Sequence, residues 1–477
     1  MFSWYNVSLI ICLLFAGFQL ASGEVVDADT LSGKNSTQVP ESNDGGHWIR
    51  GWVVQPSTRG TIDILWTCLF TTFVCTYTIL CLNVPSAGET WWNIFGRRIF
   101  WMGLAIAGPE FVLTYASGQY GTAYASKKHF HQEGYTKWTL RHGFFADMGG
   151  FVLMAEDFKE PFPATGKQLH WLITQGYLDY PETTTREIED KSKQDTVAKV
   201  ITCLQIGYIM LQCIGRTAQG IVITTMELST LAIVVCSILT SLCWLEKPLD
   251  VREPIRLVLK KSVGEILDEA AKLDGHGQEV KEWDHTPFDF IDDLGPSWAL
   301  NVQKFMRMEV SPFERPLPRF GNDRLPNLAG WQECILCVAT LGYAAIHLVG
   351  WNYTFPTKTE KVLWRVSSMF LFANTAAFWL FETTAAWWRA GRWQRIYRAI
   401  VGKRRRKSDV ETPLPPIQRM KSSKNLPLPA EFWSIFPLAI TYAAARGYLI
   451  MEAFIGLRAM EDSAFKNVDW TGFIPHV

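Results

Sequence analysis

The sequence predicts an all-α, polytopic membrane protein of six to eight transmembrane helices with a cytoplasmic amphipathic-helix segment. Three observations predict it. Apolar residues are gathered into blocks of about 20, the length that spans a hydrocarbon core. Tryptophans crowd the block ends, as at Trp101, Trp331, Trp351, Trp364, Trp387 and Trp388. An indole suits a membrane–water boundary, with its ring sunk and its N–H wet. Lys and Arg concentrate in two polar segments, twelve in 246–327 and twelve in 389–430, a bias that marks cytoplasmic loops.

Residues 1–23 carry an apolar core from Val7 to Phe18 followed by Ala21-Ser22-Gly23, the shape of a signal peptide. The segment lacks Lys and Arg, so an uncleaved anchor is the alternative. Residues 24–60 are polar and extracellular or lumenal, with a glycosylation sequon at Asn35. A first membrane group, 61–245, holds spans at 62–84, 99–119, 197–215 and 223–245. Gly108-Pro109-Glu110 interrupts the second of these, and the apolar run 143–154 is too short to cross alone. The stretch 99–154 therefore either crosses twice or dips in as a re-entrant element, which is tolerated only where protein or water covers its backbone.

Segment 246–327 is cytoplasmic, and after Pro254 it places Ile255, Val258, Leu259, Ile266, Ala270 and Leu273 on one face of a helix over 255–273. The region 328–388 supplies spans at 328–350 and 363–388, joined by a second sequon at Asn352. Residues 389–430 form a basic, Pro/Ser-rich cytoplasmic loop with the run Lys403-Arg404-Arg405-Arg406-Lys407. The last span, 431–457, leads to a lumenal tail ending at residue 477. Parity then puts both termini outside and both basic segments inside. Six spans result if 99–154 only dips, and eight if it crosses twice. The expected location is the secretory pathway, in the plasma membrane or an endomembrane.

All ten cysteines fall in apolar segments, which argues against a disulfide framework, and Cys334 and Cys337 read as packing residues in a span. A formal net charge of zero gives no support for a nucleic-acid partner.

An ionisable residue inside a span is costly and becomes a functional candidate. These residues are Glu110, Asp147, Glu227, Glu333, His347, Glu382, Arg446 and Glu452. Glu227, Glu333 and Glu382 lie near segment ends, where water is within reach and a structural role suffices. Glu110 follows the Gly-Pro break, a combination found at sites in broken-helix transporters. Arg446 lies mid-segment and calls for an acidic partner, Glu110 or Glu382; the alternative is a buried pair that fixes helix register. Gln205, Gln212 and Gln219 recur every seven residues, with Arg216 one turn beyond Gln212. That stripe either bonds a neighbouring helix or lines a polar pathway. His142, Asp147 and His170 form a nonspecific acid–base candidate. No HxxxH, HExxH, Walker or GxSxG pattern occurs, so neither a metal nor another cofactor is expected.

The strings GWVVQPSTRGTIDILWTCLFT, RHGFFADMGGFVLM, QLHWLITQGYL and CIGRTAQGIVITTMELSTLAIVVCSI resemble an uncharacterised family of multispanning membrane proteins of filamentous fungi, over most of residues 50–460. The resemblance implies no activity and carries over no site residue. Three functions fit these features. One is a channel or transporter with a polar pathway among its helices, acting on an ion or small solute. The second is a membrane-embedded enzyme acting on a lipid or secondary metabolite. The third is a scaffold or sensor working through its cytoplasmic loops. The bilayer is the expected partner in each, and a homo-oligomer fits all three.

Overall fold

The computed structural model describes residues 25–26, 48–54, 59–192, 196–274, 283, 285–291, 316–322, 328, 330–389 and 429–470. The leader 1–23, Asn35, and the basic run 403–407 lie outside the described residues. The chain is mostly helical. Its long helices are α1 (Thr61–Thr78), α2 (Trp91–Ala107), α3 (Pro109–Gln132), α7 (Thr196–Ala218), α8 (Thr225–Cys243), α10 (Gly330–Val349), α11 (Lys358–Arg389) and α12 (Pro429–Ile455). Among the described residues, four stretches are long and apolar enough to cross a membrane, Val200–Ala218, Thr225–Cys243, Trp331–Asn352 and Phe436–Arg458, or five if the bent pair Trp91–Ala107 and Pro109–Gln132 is one span. Helix α1 ends at Thr78 rather than at 84, and α11 opens with Lys358, Glu360, Lys361 and Arg365, so these two are shorter or more polar than expected.

Helix α8 is the most buried of the four apolar stretches and packs against α1, α3, α7, α10 and α12. Its start is fixed by Thr224, whose hydroxyl accepts from the Glu227 N–H (3.2 Å) while the Glu227 carboxylate accepts from the Thr224 N–H (2.9 Å). Arg59 pairs with the same carboxylate at 2.7 Å, so Glu227 is a structural residue. At this end, β1 (Trp48–Arg50) pairs antiparallel with β5 (Ala459–Glu461), and the C-terminal segment packs over the helix ends.

The opposite end carries a small α/β layer that an all-α reading omits. It contains α4 (Leu140–Asp147), β2 (Phe151–Met154), β3 (Phe162–Pro163), α5 (Gly166–Thr174), α6 (Thr185–Lys191), β4 (Ile255–Val258) and α9 (Val263–Asp274). The sheet order is β3-β2-β4, with β2 antiparallel to β3 and parallel to β4, Phe151 opposite Ile255. Phe145, Phe151, Leu153, Phe162, Leu172, Ile266 and Phe288 form its core.

The apolar run 143–154 thus forms a helix end and the central strand of this layer. Its turn needs glycine: Gly149 has φ +85°, and a Cβ on Gly150 would lie 2.5 Å from the Phe145 carbonyl oxygen. Residues 255–273 likewise begin as a strand. Ile255 and Val258 are β-branched, the Ile255 N–H bonds to the Gly150 carbonyl oxygen at 2.7 Å, and the helix starts only after Ser262, whose hydroxyl accepts from the Glu265 N–H at 3.3 Å.

Helices α2 and α3 are bent by 112° at Gly108. Both outer ends lie at the layer end of the bundle. Arg98 on α2 binds Asp250 (2.8 and 2.9 Å) and the Tyr77 carbonyl oxygen at the end of α1 (3.3 Å). Gln119 on α3 accepts from Trp244 Nε1 (3.0 Å) and from Lys247 Nζ (2.8 Å), just past the end of α8. The pair is therefore a bent helical hairpin whose two arms both reach the layer end; at its tip Gly108, Pro109 and Glu110 are buried, whereas Ala107 and Phe111 are exposed.

Candidate functional site

The hairpin tip is built by two residues that end one helix and begin another. Pro109 has no N–H and is tolerated in a first helical turn. Gly108 has no Cβ, and one placed there would lie 2.6 Å from Phe111 Cδ2. An α-helix leaves its last carbonyls without donors. Gly108 N–H reaches the Leu104 carbonyl at 2.8 Å, which leaves Ala105, Ile106 and Ala107 to find others.

Arg446 on α12 supplies two of them. Its Nη2 donates to the Ile106 carbonyl oxygen at 3.0 Å and its Nε to that of Ala107 at 3.2 Å. Its Nη1 donates to His347 Nε2 at 2.9 Å. A guanidinium can only donate, so Nε2 accepts and the ring proton of His347 sits on Nδ1. The guanidinium also stands over the Tyr343 ring, 5.6 Å from its centre. Arg446, His347 and Tyr343 are fully buried. The negative end of the α2 dipole and two carbonyls therefore hold a positive charge at mid-bundle.

Glu110 lies beside this group, in the first turn of α3, and accepts a hydrogen bond from the Tyr442 hydroxyl. Tyr442 is one turn before Arg446 on α12, and its ring meets Phe111 edge-on at 6.0 Å. The sequence calls for an acidic partner to Arg446. Among the described residues, Arg446 makes no ion pair; backbone carbonyls and a histidine take that place. The Glu382 side chain lies outside the described residues.

The glutamine stripe does not join this cluster. Gln205 accepts from Thr71 on α1 at 3.5 Å, Gln212 donates to Tyr208 of its own helix at 3.2 Å, and Gln219 exchanges bonds with the backbone of Asp469 at 2.6 and 3.0 Å. Arg216 donates to the carbonyl oxygens of Val222 (2.7 Å), Ala464 (2.8 Å) and Lys466 (3.0 Å), tying the C-terminal segment to the α7–α8 link. Glu452 accepts from Tyr448 at 3.1 Å, and Glu333 is half-buried near the start of α10. The exposed Asn352 sits in the link between α10 and α11, at the end away from the layer.

The acid–base trio is part of the layer and does not converge. His142 accepts at Nδ1 from the Thr139 N–H (3.2 Å) and faces the Thr183 carbonyl oxygen with Nε2 (2.9 Å), so both nitrogens are used. Burial lowers its pKa, and the neighbouring Arg141 adds to the effect. Asp147 Oδ1 accepts from the Gly166 N–H at 2.9 Å, at the start of α5. His170 packs beside His129, 5.8 Å between ring centres, and burial lowers its pKa too.

Sequence reasoning missed Tyr442 and Lys247. Tyr442 could have been found as the i−4 neighbour of Arg446 on one helical face. Lys247 follows Glu246 and precedes Pro248, so it reads as a loop cation. It is buried, donating to the Cys81 carbonyl oxygen at 2.6 Å and lying 4.9 Å from the Trp244 ring centre, and burial pushes its pKa down to about 8. Among the described residues, no three His, Cys, Asp or Glu side chains are grouped to hold a metal.

A family model described as a Family of unknown function (DUF8562) matches residues 37–272 and 331–477. No curated protein and no solved structure matches the chain.

Proposed function

The chain belongs to the Family of unknown function (DUF8562), and from that footing we propose that it is a six-span membrane protein of the channel or transporter type. In this reading α1, α7, α8, α10, α11 and α12 cross the bilayer, and the α2–α3 hairpin enters from the cytoplasmic side and returns to it. The four apolar stretches support the crossings. The α/β layer then lies in the cytosol with the basic segments, and the exposed sequon at Asn352 lies outside, as the charge bias requires.

One observation carries the transport reading. The hairpin tip brings a broken helix, freed carbonyls, Glu110 and Arg446 together at mid-bundle. A soluble-facing role would not need such an arrangement, because charges and irregular backbone at membrane depth are expensive unless used. In transporters, discontinuous helices build their substrate and ion sites in this way. Arg446 and Tyr442 share α12 and hold both sides of the break, so a shift of α12 would release Ile106, Ala107 and Glu110 together. That concerted release is the gating step we assign. The enzyme reading has less support, because His142 has no free ring nitrogen to offer a substrate.

The test is flux through proteoliposomes loaded with pH- and ion-sensitive dyes. Flux above empty vesicles, lost in Glu110→Gln or Arg446→Gln protein that is still folded, is expected. Equal signals from protein-loaded and empty vesicles across protons, alkali cations, halides and small organic solutes would refute it.

A further inference from the structure

At the end away from the layer, α12 carries a carboxyl group with no cation of its own. Glu452 is 1 % exposed. Among the described residues it makes no ion pair, and its Oε1 has no hydrogen-bond partner. The neighbouring cation is taken. Arg458, just past α12, pairs through Nη2 with the Glu360 carboxylate of α11 and donates from Nη1 to the Ile455 carbonyl oxygen at 3.1 Å. From α8 the Thr225 hydroxyl stands beside Glu452, the two flanking Gly456. A buried carboxylate without a cation is costly, and taking up a proton relieves that cost.

The Tyr448 hydroxyl, one turn before Glu452, lies 3.1 Å from Glu452 Oε2 and 3.3 Å from the carbonyl oxygen of Glu360. It has one proton for two acceptors. A proton on Glu452 Oε2 resolves the conflict. The carboxyl O–H then donates to the Tyr448 oxygen, and Tyr448 donates across the helix pair to Glu360. As a carboxylate, Glu452 takes the Tyr448 proton for itself, and the bond to α11 is lost.

We propose that Glu452 is a proton-binding site, and that Tyr448 bridges α12 to α11 only while the proton is bound. Release moves one proton from Oε2 to water and swings the Tyr448 O–H from α11 back to α12. It also leaves two carboxylates beside one guanidinium. Half-buried Tyr448 and the Glu360–Arg458 pair, with side chains 16 % and 31 % exposed, give the proton its way to water. The link to function rests on the transport reading: α12 also carries Tyr442 and Arg446, so a proton at Glu452 regulates the helix that holds the break. Binding of the proton does not itself require transport.

The test is infrared difference spectroscopy of the full chain, purified in detergent at neutral pH. The native protein should show the carbonyl stretch of a protonated carboxyl group that Glu452→Gln protein lacks. Gln keeps the shape of a protonated Glu, so the variant should fold. Tyr448→Phe should shift the same band, because the acid loses its acceptor. Identical carbonyl regions in native and Glu452→Gln protein overturn the proposal. Should Glu452→Gln fail to fold, an unshifted band in Tyr448→Phe overturns it instead. A difference band in protein that carries no flux would keep the proton site and discard the transport reading, and flux without a difference band would do the reverse.

Discussion

Arg446 donates from Nη2 to the carbonyl oxygen of Ile106 at 3.0 Å, so a side chain from the last long helix completes the end of α2. The contact joins elements 340 residues apart. It explains how a mid-bundle arginine persists without a carboxylate partner: the break at Gly108 and Pro109 provides the acceptors.

Removing that side chain should be severe. Arg446→Ala leaves the buried His347 Nε2 and two part-buried carbonyls, of Ile106 and Ala107, without a donor, and an orphaned buried group costs about 1–3 kcal/mol. Thermal unfolding in detergent should show a drop among the largest of any single substitution in the chain. Arg446→Lys should recover only part of it, since an ammonium lacks the planar fork that serves three acceptors at once.

Glu110 and Tyr442 should behave as a coupled pair. Hydrogen bonds to charged groups are worth about 1.5–3 kcal/mol. A double-mutant cycle with Glu110→Gln and Tyr442→Phe should return a coupling energy of that order by denaturant unfolding. Strictly additive effects would mean the contact contributes nothing.

At Gly108, alanine would place its methyl 2.6 Å from the Phe111 ring. Overpacking of this kind costs about 1–3 kcal/mol. Gly108→Ala should lower Tm, and adding Phe111→Ala should restore part of the loss by vacating the space.

Lys247 gives the fold a pH dependence of known sign. Its folded pKa is pushed down to about 8 by burial, whereas an unfolded lysine titrates near 10.4. Between those values the unfolded chain keeps a proton that the folded chain has lost, so stability rises with pH across that window. The rise should be on the order of 3 kcal/mol. Lys247→Met should flatten it, as read from Tm against pH between 7.5 and 10.5.

Much of the bundle was legible in the sequence because apolar length is a local property. Helices α7, α8, α10 and α12 fall within a few residues of the expected blocks. The break at Gly108-Pro109 and the importance of Glu110 and Arg446 were legible for the same reason, since backbone chemistry and charge cost are local. The layer was not. The run 143–154 becomes a strand because 255–258 pairs with it about 100 residues later, and a helical period over 255–273 conceals that pairing. Partner choice was equally hidden. Nothing in the chain order tells Arg446 to prefer two carbonyls and His347 over Glu110. The glutamine spacing is real, yet the three side chains go to three separate partners, on α1, on α7 itself and in the C-terminal segment.

The most direct measurement is the sidedness of the hairpin. On a background without reactive cysteines, single cysteines replace the exposed Thr90 and Glu133, which flank α2 and α3, and an impermeant maleimide is added to sealed vesicles of known orientation. The account predicts that both positions label from the same face, opposite to Asn352. Labelling of Thr90→Cys and Glu133→Cys from opposite faces would contradict it, by making the broken pair a true crossing.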